Sequence, residues 1–271
     1  MKILQGKLYY KRFQKDLDYI PLIILSILCI IQVIYAVDVY TNYRNSITLN
    51  NVIYQDYDPM ISLYSSFTLW VGGSHQTLFS HVYYLFPIAS AICVILSKNK
   101  VSRDNYISVF LKSGLTILIP LLINFLLILA FVPAITPDSI YDVYFGVFSN
   151  SFLGGLYYLQ PVIYVFTFLL INFLFWGLTG VITSLIYMLT NNKLISGVTC
   201  PLILYMIHIV QFYLNGEVLI NGKEISPLNY LNPSHSMFTS WKVIIIELII
   251  VLLVVHFLTI LLKLKKRLIH K

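Results

Sequence analysis

SWKVIIIELIIVLLVVHFLTILL, residues 240–262, is followed at once by KLKKRLIHK at 263–271. Within the first stretch, Val243–Val255 is apolar at every position except Glu247. Such a run offers no polar face to water and no alternation suited to a half-buried strand, so it reads as a helix in an apolar solvent. Residues 240–262 would rise about 35 Å as a helix, enough to cross roughly 30 Å of hydrocarbon. Lys263, Lys265, Lys266 and Arg267 directly after it read as an anchor on anionic headgroups rather than as a nucleic-acid patch.

Working outward from this stretch, five more apolar blocks appear at Tyr19–Val39, Gln76–Leu96, Ser113–Val132, Leu159–Leu189 and Ile195–Leu214. Charged residues make up only 11% of the chain and mean hydropathy is +0.81, which excludes an ordinary water-soluble domain. A barrel would need shorter segments with alternating polarity. The expected fold is therefore all-α, a polytopic membrane protein of six transmembrane helices. Lys11, Arg12 and Lys15 before the first block suggest a signal peptide, but the block is too long and lacks a small-residue cleavage site. It is read as a retained span.

Basic residues fix the orientation. Lys2, Lys7, Lys11, Arg12 and Lys15 precede the first span, Lys98, Lys100, Arg103 and Lys112 lie between the second and third, Lys193 follows the fourth, and the basic cluster follows the sixth. Threading six helices puts all of these on one side. The opposite side receives Asp56, Asp58, Asp138, Asp142, Glu217 and Glu224, with Arg44, Lys223 and Lys242. Lys and Arg are retained in cytoplasmic segments, so both termini are expected inside. One domain covers residues 1–271: an interfacial amphipathic helix over 1–18, a six-span bundle over 19–262 and a basic cytoplasmic tail over 263–271. Tyr10, Phe13, Leu17 and Ile20 at helical spacing carry the interfacial helix.

The expected outer loops are Tyr40–His75, Pro133–Tyr158 and Asn215–Thr239, with short helices or re-entrant pieces in the last two. The fourth block, about 45 Å long as a helix, must tilt, kink or protrude. Gly177 and Gly180 mark bend or close-packing points. Tyr35, Tyr40, Tyr43, Trp70, Tyr157, Tyr158 and Trp241 fall near outer boundaries and read as an interfacial aromatic belt.

Few residues suggest chemistry. Cys29, Cys93 and Cys200 all lie in apolar blocks and read as small buried hydrophobes. Neither CxxC nor a His/Cys cluster occurs, so no metal site is expected. No GxxxxGK[ST] loop is present, and neither HExxH nor GxSxG is found. Gly72-Gly-Ser-His75 resembles a nucleophile turn only faintly and has no identifiable partner. Glu247 is the one carboxylate well inside a block. An acid there costs about 2.5–3.5 kcal/mol on insertion scales and marks a functional candidate, or a hydrogen-bonded acid joining helices. Asn124, Asn172 and His208, with Gln32, Gln211 and His256, are interhelical glue or, with Glu247, line a substrate pathway.

Six spans, inside termini, a basic amphipathic entry and a basic connection between spans two and three resemble the type-2 ABC exporter permeases over the whole chain. The local echoes are Ser97-Lys-Asn-Lys-Val-Ser-Arg-Asp-Asn-Tyr106, leading through Lys112 into the third span, and Tyr230-Leu-Asn-Pro233 ahead of the sixth. The resemblance implies a cytoplasmic coupling helix in the first segment and an outer re-entrant region ending at the second. It implies that Lys98, Lys100, Arg103, Tyr106 and Lys112, with Lys11 and Arg12, contact a separate ATP-binding subunit, which would hold ATP and Mg; this chain would bind no cofactor. Further partners are a second permease copy or a related permease and the lipid bilayer, not nucleic acid. The expected activity is export of an amphipathic cargo, a peptide, bacteriocin or lipid-like molecule, across a bacterial cell membrane. Alternatives are a membrane-embedded enzyme and a non-transporting sensor or immunity scaffold.

Overall fold

The computed structural model describes residues 19–50, 65–72, 78–96, 105–137, 153–217, 225–232 and 240–269. The expected interfacial helix over 1–18, with Lys11 and Arg12, lies outside these residues, as do Lys98, Lys100, Arg103 and Pro233. Among the described residues every regular element is helical: α1 Ile20–Asn50, α2 Ser66–Gly72, a 3₁₀ stretch Leu78–Leu85, α3 Phe86–Leu96, α4 Tyr106–Phe131, α5 Gly154–Leu159, α6 Pro161–Thr190, α7 Lys193–Glu217, α8 Pro227–Tyr230 and α9 Trp241–Ile269. Five of them contain segments long and apolar enough to cross a membrane: Ile20–Asp38 in α1, all of α4 and α6, Lys193–Gln211 in α7 and Trp241–Leu268 in α9.

The second expected span differs. In place of one helix over Gln76–Leu96, the chain forms the 3₁₀ stretch and then α3. Pro87 supplies the physical reason: it has no N–H to give the carbonyl four residues back and its ring crowds that carbonyl, whereas the first turn of a helix tolerates it. The α-helix accordingly starts at Phe86.

Other boundaries move outward. The third span begins at Tyr106, because Asn105 Oδ1 accepts from the amides of Ile107 (3.2 Å) and Ser108 (3.4 Å), a side-chain N-cap. Tyr106 and Lys112 thus sit in the first two turns of α4 rather than in a loop. The last helix runs to Ile269, so most of the expected basic tail is helix. There Lys265 Nζ donates to the carbonyls of Leu189 (2.6 Å) and Met188 (3.4 Å) in the last turn of α6, groups that a helix end leaves without backbone partners. Asn191 closes α6 in the left-handed conformation (φ 54°). Asn192 Oδ1 then accepts from Leu194 (2.9 Å) and Ile195 (3.3 Å), so two asparagines turn the chain directly into α7.

The centre of the molecule is the pair α4 and α6; α1 lies against α4, α3 against α4, α6 and α7, and α9 against α6. Between helices in lipid, association depends on close packing rather than on expelled water, and small residues permit it. Gly114 lies under the Phe173 ring, Gly177 under the Phe110 ring and Gly180 against Ser113, so a Cβ at any of them would collide. The two phenylalanine rings meet edge to face, 5.3 Å apart.

The expected aromatic belt is divided. Tyr35 and Trp241 are exposed, while Tyr40, Trp70 and Tyr157 are core residues. Trp70 belongs to α2, where the first outer loop was expected to be polar. Ser66 N donates to Pro133 O (2.9 Å) past the end of α4, and Trp70 is held edge-on by Phe125 (5.3 Å) and Phe168 (5.6 Å). α2 therefore runs from the far end of α4 towards its middle and packs into the core. α5 and α8 are short helices within the two connections where short helices were expected.

Candidate functional site

The site is best built from α8, a single turn folded back against the ends of two spans. Gln211 Oε1, on α7, accepts from the Ile225 amide (2.8 Å) and from that of Ser226. Pro227 then sits at the first helical position, where a missing N–H costs nothing. One turn later Tyr230 is buried, and its hydroxyl donates to Glu247 Oε2 on α9. Burial, reinforced by the neighbouring carboxylate, pushes the Tyr230 phenol well above its usual range, so it remains a donor at any physiological pH. The Asn229 side chain lies beside the His208 imidazole of α7. The same imidazole packs on the Tyr84 ring with centroids 5.1 Å apart, and Tyr205 donates its hydroxyl to Tyr84 O.

These contacts join the 3₁₀ stretch, α7, α8 and α9 through one polar cluster: Tyr84, Tyr205, His208, Gln211, Tyr230 and Glu247. The carboxylate is its acid, and the phenol satisfies it where water is scarce. Chemically the arrangement is a latch between the short helix α8 and the last long apolar helix, α9. His256 is exposed on α9 and takes no part.

Other expected polar residues build separate knots. Asn124 Nδ2 on α4 donates to Cys29 O (3.2 Å) and Gln32 Oε1 (3.1 Å) of α1, and Gln32 Nε2 reaches Tyr83 Oη (3.4 Å). Asn172 stays within α6, donating to Phe168 O (3.2 Å) and accepting from Trp176 Nε1 (3.1 Å). In a third knot, Ser90, Ser113 and Thr179, on α3, α4 and α6, all donate to the carbonyl of Trp176 at 3.2, 2.8 and 2.8 Å. Of Glu247, Asn124, Asn172 and His208, only Glu247 and His208 reach the latch cluster. Tyr106 and Lys112 stand at the opposite, basic end, half-buried.

Sequence reasoning singled out Glu247, His208 and Gln211 but not Tyr84, Tyr205 or the pairing of Tyr230 with Glu247. The available signal was an intramembrane acid that required a donor; Tyr230 appeared only as part of a string. Cys29, Cys93 and Cys200 are buried thiols, and no group of three or more metal-ligating side chains occurs among the described residues.

No family model, curated protein or solved structure matches this chain.

Proposed function

We propose that this chain is the membrane-spanning permease subunit of an ABC exporter. Under this reading it works with a separate ATP-binding subunit and a second permease copy or a related permease to move an amphipathic peptide or lipid-like cargo out of a bacterial cell. The observation that carries it is α8: a buried turn between the last two spans, tied to α7 through Gln211 and to α9 through Tyr230 and Glu247. The resemblance to type-2 permeases calls for such an outer re-entrant region at this place.

The count of crossings supports the same reading. Eight 3₁₀ residues rise about 16 Å and eleven α residues about 16 Å, so Leu78–Leu96 is long enough to serve as a composite second crossing. With it, α1 enters and α9 leaves on the same side, where Lys112, Lys193 and Lys265 gather, the cytoplasmic side by the positive-inside rule. An ATP-driven change at that side acts by favouring one arrangement of the spans over another. The latch transmits it, since α9 is fixed to α6 at its basic end by Lys265 and to α8 near its other end by Glu247.

The test is purification of the full chain from native membranes in mild detergent, followed by an ATPase assay. An ATP-binding protein should co-purify, and Arg103→Glu should reduce that association or uncouple ATP hydrolysis from added peptide or lipid. A fully active chain with no nucleotide-hydrolysing companion would refute the proposal.

A further inference from the structure

A groove of about 450 Å³ runs between α3 and α7. Ile88, Ile92 and Ile95 form one wall, and Val198, Pro201 and Leu202 the other. Its floor is formed where Ile95 packs directly onto Gly197: a Cβ there would run into the end of the Ile95 side chain. Lys193 stands at the mouth, exposed and with no carboxylate partner among the described residues. Tyr205 closes the deep end with its hydroxyl hydrogen already given to Tyr84 O, so it has no proton left to donate to an occupant.

From Lys193 to Tyr205 the helix rises about 18 Å, close to the half-thickness of about 15 Å that one leaflet contributes. We infer that this groove binds one acyl chain of an anionic phospholipid, with the lipid phosphate on the Lys193 ammonium. Shape, depth and polarity agree on that occupant. A peptide in the same groove would carry amides and carbonyls into hydrocarbon with no lining group to pair them. An acyl chain has none, and its charge falls at the one point where the wall is cationic. The inference is independent of the transport proposal, since it concerns a lipid held at the flank of the bundle.

The experiment reconstitutes the full chain in nanodiscs of equal phosphatidylglycerol and phosphatidylcholine, each in turn carrying a photoactivatable diazirine midway along one acyl chain. Labelled peptides are mapped and retained lipids are weighed by native mass spectrometry. Phosphatidylglycerol should label residues 193–205 and the facing wall of α3 in preference to phosphatidylcholine. Lys193→Gln should lower that preference about fivefold, the effect of one lysine charge at an anionic surface, and Lys193→Arg should restore it. Val198→Phe, a change at an exposed position that fills the groove, should abolish labelling by both lipids. Equal labelling by the two lipids in the wild type, labelling elsewhere, or labelling unchanged by Lys193→Gln and Val198→Phe overturns the inference.

Discussion

A carboxylate at the depth of Glu247 needs a donor within reach, and Tyr230 is that donor. Removing one partner of a buried hydrogen bond leaves the other unsatisfied, a loss of about 1–3 kcal/mol. Tyr230→Phe should therefore lower thermal stability in detergent by that amount, and Tyr230→Phe combined with Glu247→Leu should recover part of it. A double-mutant cycle read from tryptophan-fluorescence melting checks both. At the basic end, Lys265→Met leaves two carbonyls of α6 bare, so amide exchange in residues 186–192 should quicken, with a local loss of about 1 kcal/mol; Lys265→Arg should preserve protection. That Glu247 would need a hydrogen-bond partner was legible because a lone acid interrupts an apolar run. Its partner was not, because it lies 17 residues back in the chain and pairing across a loop leaves no periodic trace. Trp70 shows the converse: a tryptophan among polar neighbours reads as interfacial, yet α2 carries it into the core between two phenylalanine rings.

Among the elements, the long apolar helices were the most readable, since composition and length decide them. Their caps were readable in principle at Asn105, Asn191 and Asn192, whose side chains or left-handed backbone define the ends. The composite 78–96 segment was not, because hydropathy is blind to whether a helix winds at three or 3.6 residues per turn. The small-residue contacts between α4 and α6 permit a sharp comparison. Gly180→Leu places a side chain where Ser113 already sits and should cost about 1–3 kcal/mol or more by overpacking, seen as a lower melting temperature and reduced yield. Gly155→Ala, with no atom within 4 Å of the added carbon, should be neutral or slightly stabilising, since alanine favours helix by about 1 kcal/mol over glycine.

For the whole molecule, the arrangement predicts a simple accessibility map. Cys29, Cys93 and Cys200 are buried, so a membrane-impermeant maleimide should leave the native chain unmodified from either face. Under the proposed topology a cysteine in place of exposed Leu268 should react only from the cytoplasmic face, and one in place of exposed Ile225 only from the opposite face; labelling of both from one side would overturn that proposal. Charge asymmetry is the basis for that expected sidedness, whereas the partition of Asn124, Asn172 and Glu247 among separate knots depends on helix rotation, which a uniformly apolar stripe does not encode. The tightly wound stretch Leu78–Leu85 has one more consequence. Were its eight residues to relax to ordinary α-winding, it would contract by about 4 Å and its two ends would counter-rotate by about 160°. In such a segment a change of length and a rotation of its aromatic side chains would be coupled, one following from the other.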